Sequence, residues 1–209
     1  MTRKLALLVL LVLAGCVRIS AGGEDRGLVP GDTGPGGGTV FLAAEEPFPC
    51  AAAGDRLCRY LEVSPRDTER KLAWSSDTNR DTSVPDARDI SAGAGMKNSL
   101  LVARLAGNDP SNSAAAYAAA YERNGYDDWY LPSADELNEM CKYARGLPAG
   151  SFDDMCIEDG SLRDGFSAGT YWSSSEASES SAWLQNLEVG NSVQALKGEK
   201  FIARPVRGF

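Results

Sequence analysis

The sequence predicts an α+β domain with two or three helices and an antiparallel sheet. Three observations carry that expectation. The middle of the chain contains a complete helix start: Ser133, then Glu136 three residues on, then the apolar Leu137. That spacing is a capping box, in which hydroxyl and carboxylate each satisfy an orphan amide. The last third consists of short apolar runs separated by turn residues, the pattern of strands. Strand-like runs also precede the helices.

In chain order, Arg3 and Lys4 open a basic segment, and Leu5 to Leu13 is an unbroken apolar run. A membrane-spanning helix needs about 20 residues, so this run fits the core of an export signal instead. It ends in Leu13-Ala14-Gly15-Cys16, which resembles the bacterial lipobox. The resemblance implies acylation of Cys16, which would become the first mature residue. Residues 1–16 are therefore expected to be a lipoprotein signal with its lipobox cysteine, residues 17–38 a Gly-rich tether ending in a tight turn, and residues 39–209 the domain. More than one acyl chain would anchor the protein stably. The expected location is the bacterial cell envelope, on the outer membrane where the host has one, facing periplasm or exterior. Gly31 to Gly38 lacks the Gly-Lys-Ser/Thr of a phosphate loop.

Thr39 to Ala44 reads as the first strand, Arg59 to Val63 as the second and Leu72 to Ser75 as a third. Residues 76–95 are polar and read as a long loop, of the kind that is either functional or disordered. A helix is expected from Lys97 to Leu105 and a second from Ser113 to Arg123, stopped by Asn124-Gly125. The helix after Ser133 buries Leu137, Met140, Cys141 and Ala144 and closes at Arg145-Gly146. Thr170 to Ser174, Ser181 to Val189, Ser192 to Leu196 and Phe201 to Arg207 read as strands, with hairpin turns at Gly190-Asn191 and Lys197 to Lys200.

Composition narrows the function. Loss of residues 1–15 removes Arg3 and Lys4, leaving 19 basic against 29 acidic side chains and a formal charge of −10. Nucleic acid is not expected as a partner, because association would begin with repulsion. There are 0 histidines, so Ser-His-Asp and Cys-His catalysis in their usual forms are excluded, along with the commonest metal ligand. No cofactor and no metal are expected. Beyond Cys16 stand Cys50, Cys58, Cys141 and Cys156. In an exported chain they imply disulfides. Of the three possible pairings, Cys50–Cys58 and Cys141–Cys156 are favoured, since each pair is close in sequence with turn residues between. A four-thiolate metal site is the competing possibility.

Several residues carry candidate chemistry. Asp127 and Asp128 read either as paired carboxylates for acid–base work or Ca²⁺, or as a polar turn bound by Arg204 or Arg207. Trp129, Trp172 and Trp183 read either as an aromatic platform for a sugar or as core. Ser173 to Ser175 lack a base and read as strand. The loop Ser178 to Ser181 and the region of Asn186 and Asn191 are candidates for a binding face. The ligand-contact set is Asp128, Trp172, Glu176, Trp183, Asn186 and Asn191.

The chain resembles the bacterial domain family typified by the C-terminal domain of the Legionella collagen-like adhesin. The residues that carry this are Gly31-Asp32-Thr33-Gly34-Pro35-Gly36-Gly37-Gly38-Thr39-Val40-Phe41, Gly125 to Leu137, Tyr171-Trp172-Ser173-Ser174-Ser175-Glu176, Ala182-Trp183 and Arg204-Pro205-Val206-Arg207. The resemblance implies a C-type-lectin-like domain with a twisted antiparallel sheet and long loops. It also implies an adhesin-like, non-enzymatic role: a surface-anchored lipoprotein binding an extracellular glycan or protein. Leu131 to Glu136 is similar to a helix start in formylglycine-generating enzymes of that fold. Their C-terminal cysteine pair is missing here, as are the Glu-Pro-Asn and Trp-Asn-Asp strings of calcium-dependent lectins. A structural envelope lipoprotein and a divergent formylglycine-type enzyme are the alternatives.

Overall fold

The computed structural model describes residues 27–52, 55–152 and 154–209. The export signal, Cys16 and the first part of the expected tether lie outside them. Two sheets share the domain. Strands β1 (Thr39–Pro49), β2 (Leu57–Val63) and β8 (Val206–Gly208) form an antiparallel sheet in the order β1-β2-β8. Strands β3 (Arg70–Ala73), β4 (Thr170–Glu176), β5 (Ser181–Asn186), β6 (Ser192–Leu196) and β7 (Lys200–Ala203) form the other, in the order β3-β7-β4-β5-β6. All pairings in the second sheet are antiparallel except β4 with β7. Helices α1 (Gly95–Ala103), α2 (Ala114–Ala119) and α3 (Ala134–Ala144) come from the middle of the chain.

The C-terminal run expected as one strand is two. Pro205 has no N–H for a ladder, and the chain changes sheets there: β7 pairs with β3, and β8 pairs with β2. Arg204 secures the crossing. Its guanidinium donates to the Ser64 carbonyl at 2.7 and 2.9 Å, to Gly165 O at 2.8 Å and to Glu69 at 3.0 Å.

Helix α2 is shorter than its alanine-rich sequence suggests. Beyond Ala119, Arg123 and Tyr126 exchange both backbone hydrogen bonds, with Asn124 at φ 51° and Gly125 at φ 79°. Positive φ at both central residues is the Asn-Gly turn of a tight hairpin, and it overrides local helix propensity. Helix α3 begins as expected. Ser133 Oγ accepts from Glu136 N, and Glu136 Oε2 accepts from Ser133 N at 2.8 Å.

The Gly31 to Gly38 segment is not a free tether. Its turn wraps the buried Glu62 carboxylate, which accepts from Gly36 N and Gly38 N, each at 2.9 Å. A Cβ on Gly34 would come within 2.5 Å of Glu62 Oε2, so only glycine allows that approach. Arg207 Nη1 reaches the same carboxylate at 3.1 Å and lies over the Tyr126 ring, 3.8 Å from its centroid.

The disulfides are Cys50–Cys58 and Cys141–Cys156. Two apolar clusters fill the interior. One, around Phe41, Leu61, Tyr130, Leu137 and Met140, lies between the small sheet and α3. The other, around Trp74, Val102, Leu131, Trp172 and Leu184, lies between the large sheet and α1–α2. Among the described residues no helix is long and apolar enough to cross a membrane.

Candidate functional site

The residues expected to touch ligand divide sharply. Trp172 and Glu176 are interior residues. Trp172 has no exposed surface, donates its indole N–H to Leu72 O at 2.9 Å and meets Phe201 edge-on. The Glu176 carboxylate is equally enclosed, because it is the hub that holds the 76–95 loop to the sheet. It takes Lys197 Nζ at 2.6 Å, Val84 N at 2.7 Å and Arg88 Nε at 2.8 Å. Burial pushes this carboxyl upward, but Lys197, Val84 and Arg88 outweigh it and hold Glu176 below the usual range. Lys197 completes the hub by donating to Thr82 O and Glu179 O while lying over the Trp74 ring, 4.7 Å from its centroid.

Asp128 is the ion-pair partner of Arg207 and of Arg56, the latter at 2.8 Å. Those two cations outweigh its partial burial and keep its carboxyl below the ordinary value. The polar-turn alternative therefore describes Asp128, and Asp127 is exposed beside it. Trp129 is core, packed edge-on against Tyr121. Asn186 shapes the β5–β6 turn by accepting from Glu188 N at 2.8 Å, and the exposed Asn191 gives its carbonyl to Asn186 N.

Trp183 is different. It is half-buried on β5 and lines a depression of about 270 Å³ with Ile90, Ala134, Asp135, Asn138, Met155, Gln185 and Ser192. Here the 76–95 loop meets the β5–β6 ribbon and the start of α3. Two large apolar side chains project into solvent on this shelf: Ile90 is 46% exposed and Met155 is 58% exposed. Each is held by its backbone. Asn138 donates to Asp154 O and accepts from Cys156 N, both at 2.8 Å, so one amide grips the chain on either side of Met155. The Cys141–Cys156 disulfide fixes the same segment to α3. Ile90 O accepts from Asp135 N at 3.0 Å, and Asp89 O accepts from Asn98 and Ser175 at 2.6 and 2.9 Å. Trp183 lies between two paired strands, and Ser173 Oγ donates to its carbonyl at 2.8 Å.

Ile90 and Met155 did not stand out in the sequence. Their only signal is a lone large apolar residue inside a polar loop, which is also how a residue tucked into a core looks. Among the described residues no three His, Cys, Asp or Glu side chains gather as a metal site.

Three helices against a mixed, mostly antiparallel sheet, with long clamped loops at one face, make this an α+β domain of C-type-lectin-like build. The model of the Lcl C-terminal domain family matches residues 64–207, and the chain belongs to that adhesin-related family. The match covers the helices, the large sheet and the whole Trp183 shelf. It begins after the Gly31 to Phe41 segment that also resembled the family. Among curated proteins no match is found.

Proposed function

We propose that this chain is a lipid-anchored, non-enzymatic protein of the bacterial envelope whose domain captures an extracellular ligand, carbohydrate or protein, on the Trp183 shelf. The observation that supports the reading most directly is rigid apolar exposure. Ile90 and Met155 stand in water although their backbones are clamped. A fold that could bury them gains about 25 cal/mol for each Å² removed from water. Apolar groups displayed together on a fixed scaffold mark interaction sites. Family membership points the same way, toward adhesion. The anchor rests on the lipobox at Cys16, and the acidic balance disfavours nucleic acid as a partner.

The test is an array of glycans and extracellular proteins probed with the full chain and with Trp183→Ala. Capture by the parent and loss in the variant, with unchanged thermal unfolding, supports the reading. A blank array, or equal capture by both proteins, sinks it. For the anchor, Cys16→Ser is expected to move the protein from the membrane fraction to the soluble fraction, and retention in the membrane would refute lipidation.

A further inference from the structure

The chemistry of the shelf narrows what can sit on it. A sugar ring needs fixed donors and acceptors for its hydroxyls beside an aromatic face. The two amides lining this depression each hold backbone groups of the protein itself. Gln185 Nε2 donates to Gly190 O at 3.0 Å, and both ends of the Asn138 amide are held by the chain around Met155. Ser192 Oγ donates to Leu184 O. What the shelf offers outward is mainly dispersion surface: indole, thioether and aliphatic carbon.

That surface is elongated. On β5 and β6, Trp183 pairs with Gln194 and Ser181 pairs with Leu196, so all of these side chains share one face. Leu196 is 57% exposed, and β6 is the outer strand of its sheet. A second exposed apolar side chain therefore stands on the ribbon beyond the depression, past Ser181 and Gln194, a spacing that suits an extended chain better than a compact ring.

The rim is predominantly acidic. Asp135 lines the depression, Asp89 adjoins Ile90, Asp154 adjoins Met155, and Glu158 and Glu188 are exposed on the neighbouring turns. The β5–β6 turn touches that region, since a Cβ on Gly190 would lie 2.4 Å from the Ile157 carbonyl carbon. Against these acids stand Arg88, tied to Glu176 and Ser83, and Lys97, exposed on α1. Apolar surface ringed by carboxylates complements an apolar anchor flanked by cations.

Resting on the ligand-capture reading above, we infer that the occupant of the Trp183–Met155–Ile90 shelf is a basic, amphipathic polypeptide segment of an extracellular partner. Its large apolar side chains fill the depression, and its Lys and Arg residues meet the acidic rim. Trp183 is the anchor contact, because a partly exposed, rigid indole offers a large contact area at little ordering cost. The rim contributes steering and selectivity, which salt screens.

A random peptide library selected on the full chain tests this, with a glycan array run in parallel. The expected selection is peptides with one or two large apolar residues flanked by Lys or Arg. Trp183→Ala is expected to weaken the selected peptides at least about tenfold, with partial recovery in Trp183→Phe. The triple variant Asp89→Asn, Asp154→Asn, Glu188→Gln leaves the shelf in place and is expected to flatten the salt dependence. Selection of acidic or uncharged peptides, or equal affinity in Trp183→Ala, overturns the inference. Trp183-dependent glycan capture with no peptide selected overturns it while leaving the capture reading standing, and blank results in both formats overturn both.

Discussion

Trp172 and Trp183 sit on neighbouring strands and meet opposite fates. Trp172 is enclosed and hydrogen-bonded, whereas Trp183 is only partly covered. Trp172→Ala should therefore cost about 3–5 kcal/mol, and Trp183→Ala less than about 1 kcal/mol, both read from urea unfolding. A comparable loss in the two variants would show that Trp183 is a core residue. Alternation along the strands does not separate them, because which face of a strand is covered depends on what packs there. Nothing near Trp172 announces α1–α2 as its cover. The capping box was readable, since Ser133 and Glu136 act on backbone within one turn. The second role of Glu136 was not.

That second role has a pH signature. The Glu136 carboxylate is fully enclosed and also accepts from Gly93 N at 2.8 Å, which pins the loop below Ile90 to α3. Burial pushes its pKa from 4.5 up to about 7, against the opposing pull of the Ser133 and Gly93 amides and the Tyr130 hydroxyl. The folded state thus holds a proton that the unfolded chain releases. The contribution is fully present below about pH 4.5 and is lost as pH rises through about 7, a change on the order of 3 kcal/mol. Glu139, also raised by burial, adds a slope of the same sign. Asp128 and Glu176 are held low, so their stabilisation is lost only as pH falls further into acid. Melting temperature should accordingly fall from pH 4.5 to 7.5. Glu136→Gln should flatten most of that slope while lowering stability throughout, because its NH₂ must face one of two amide donors. A flat parent profile would refute the assignment.

Among the elements, α3 organises the site. Its first turn supplies Asp135 N to Ile90 O, its second turn supplies Asn138 to the Met155 segment, and beyond these stand Cys141, Lys142 in the last turn and Arg145 at the C-cap. Arg145 is buried and donates to the carbonyls of Asp159, Gly160, Leu187 and Glu188, so it ties the β5–β6 turn to the loop after Cys156. Lys142 pairs with Glu139 and donates to Ser151 O at 2.5 Å, closing the disulfide loop from inside. The cysteine spacing made the covalent link readable, but the polar clamps join residues too far apart in sequence for spacing to reveal them. The Cys141→Ser, Cys156→Ser pair should cost on the order of 3 kcal/mol and also weaken ligand capture, because Met155 then depends on Asn138 alone. Chemical denaturation and the array read these separately. Full capture at full strength in the variant would show that Met155 needs no covalent support.

At the scale of the molecule, the two ends of the described domain meet around one glutamate. Glu62 gathers the Gly34–Gly38 turn from the start of the domain and Arg207 from its end, and Arg207 draws in Asp128. Three segments that carry the family resemblance, Gly34–Gly38, the Asp128 turn and the Arg207 end, are thereby joined in one charged knot. At this scale composition also counts: a formal net charge of −8 over the whole sequence sets the field a partner meets first. The full chain should not be retained on a sulfated polysaccharide column at physiological salt. Retention that elutes with rising salt would reveal a basic face that the described rim does not present.

The buried lysines give the protein an internal clock. Lys71, Lys97 and Lys200 are exposed, whereas Lys142 and Lys197 have their ammonium groups enclosed and bonded to carbonyls from other segments. An amine acylates only as a free base reached by reagent, so Lys197 can be labelled only when the 79–84 loop lifts, and Lys142 only when the disulfide loop does. Timed acetylation read by mass spectrometry would convert each lysine's lag into an opening rate for the loop above it. A partner seated on the shelf should lengthen both lags and leave Lys71 unchanged.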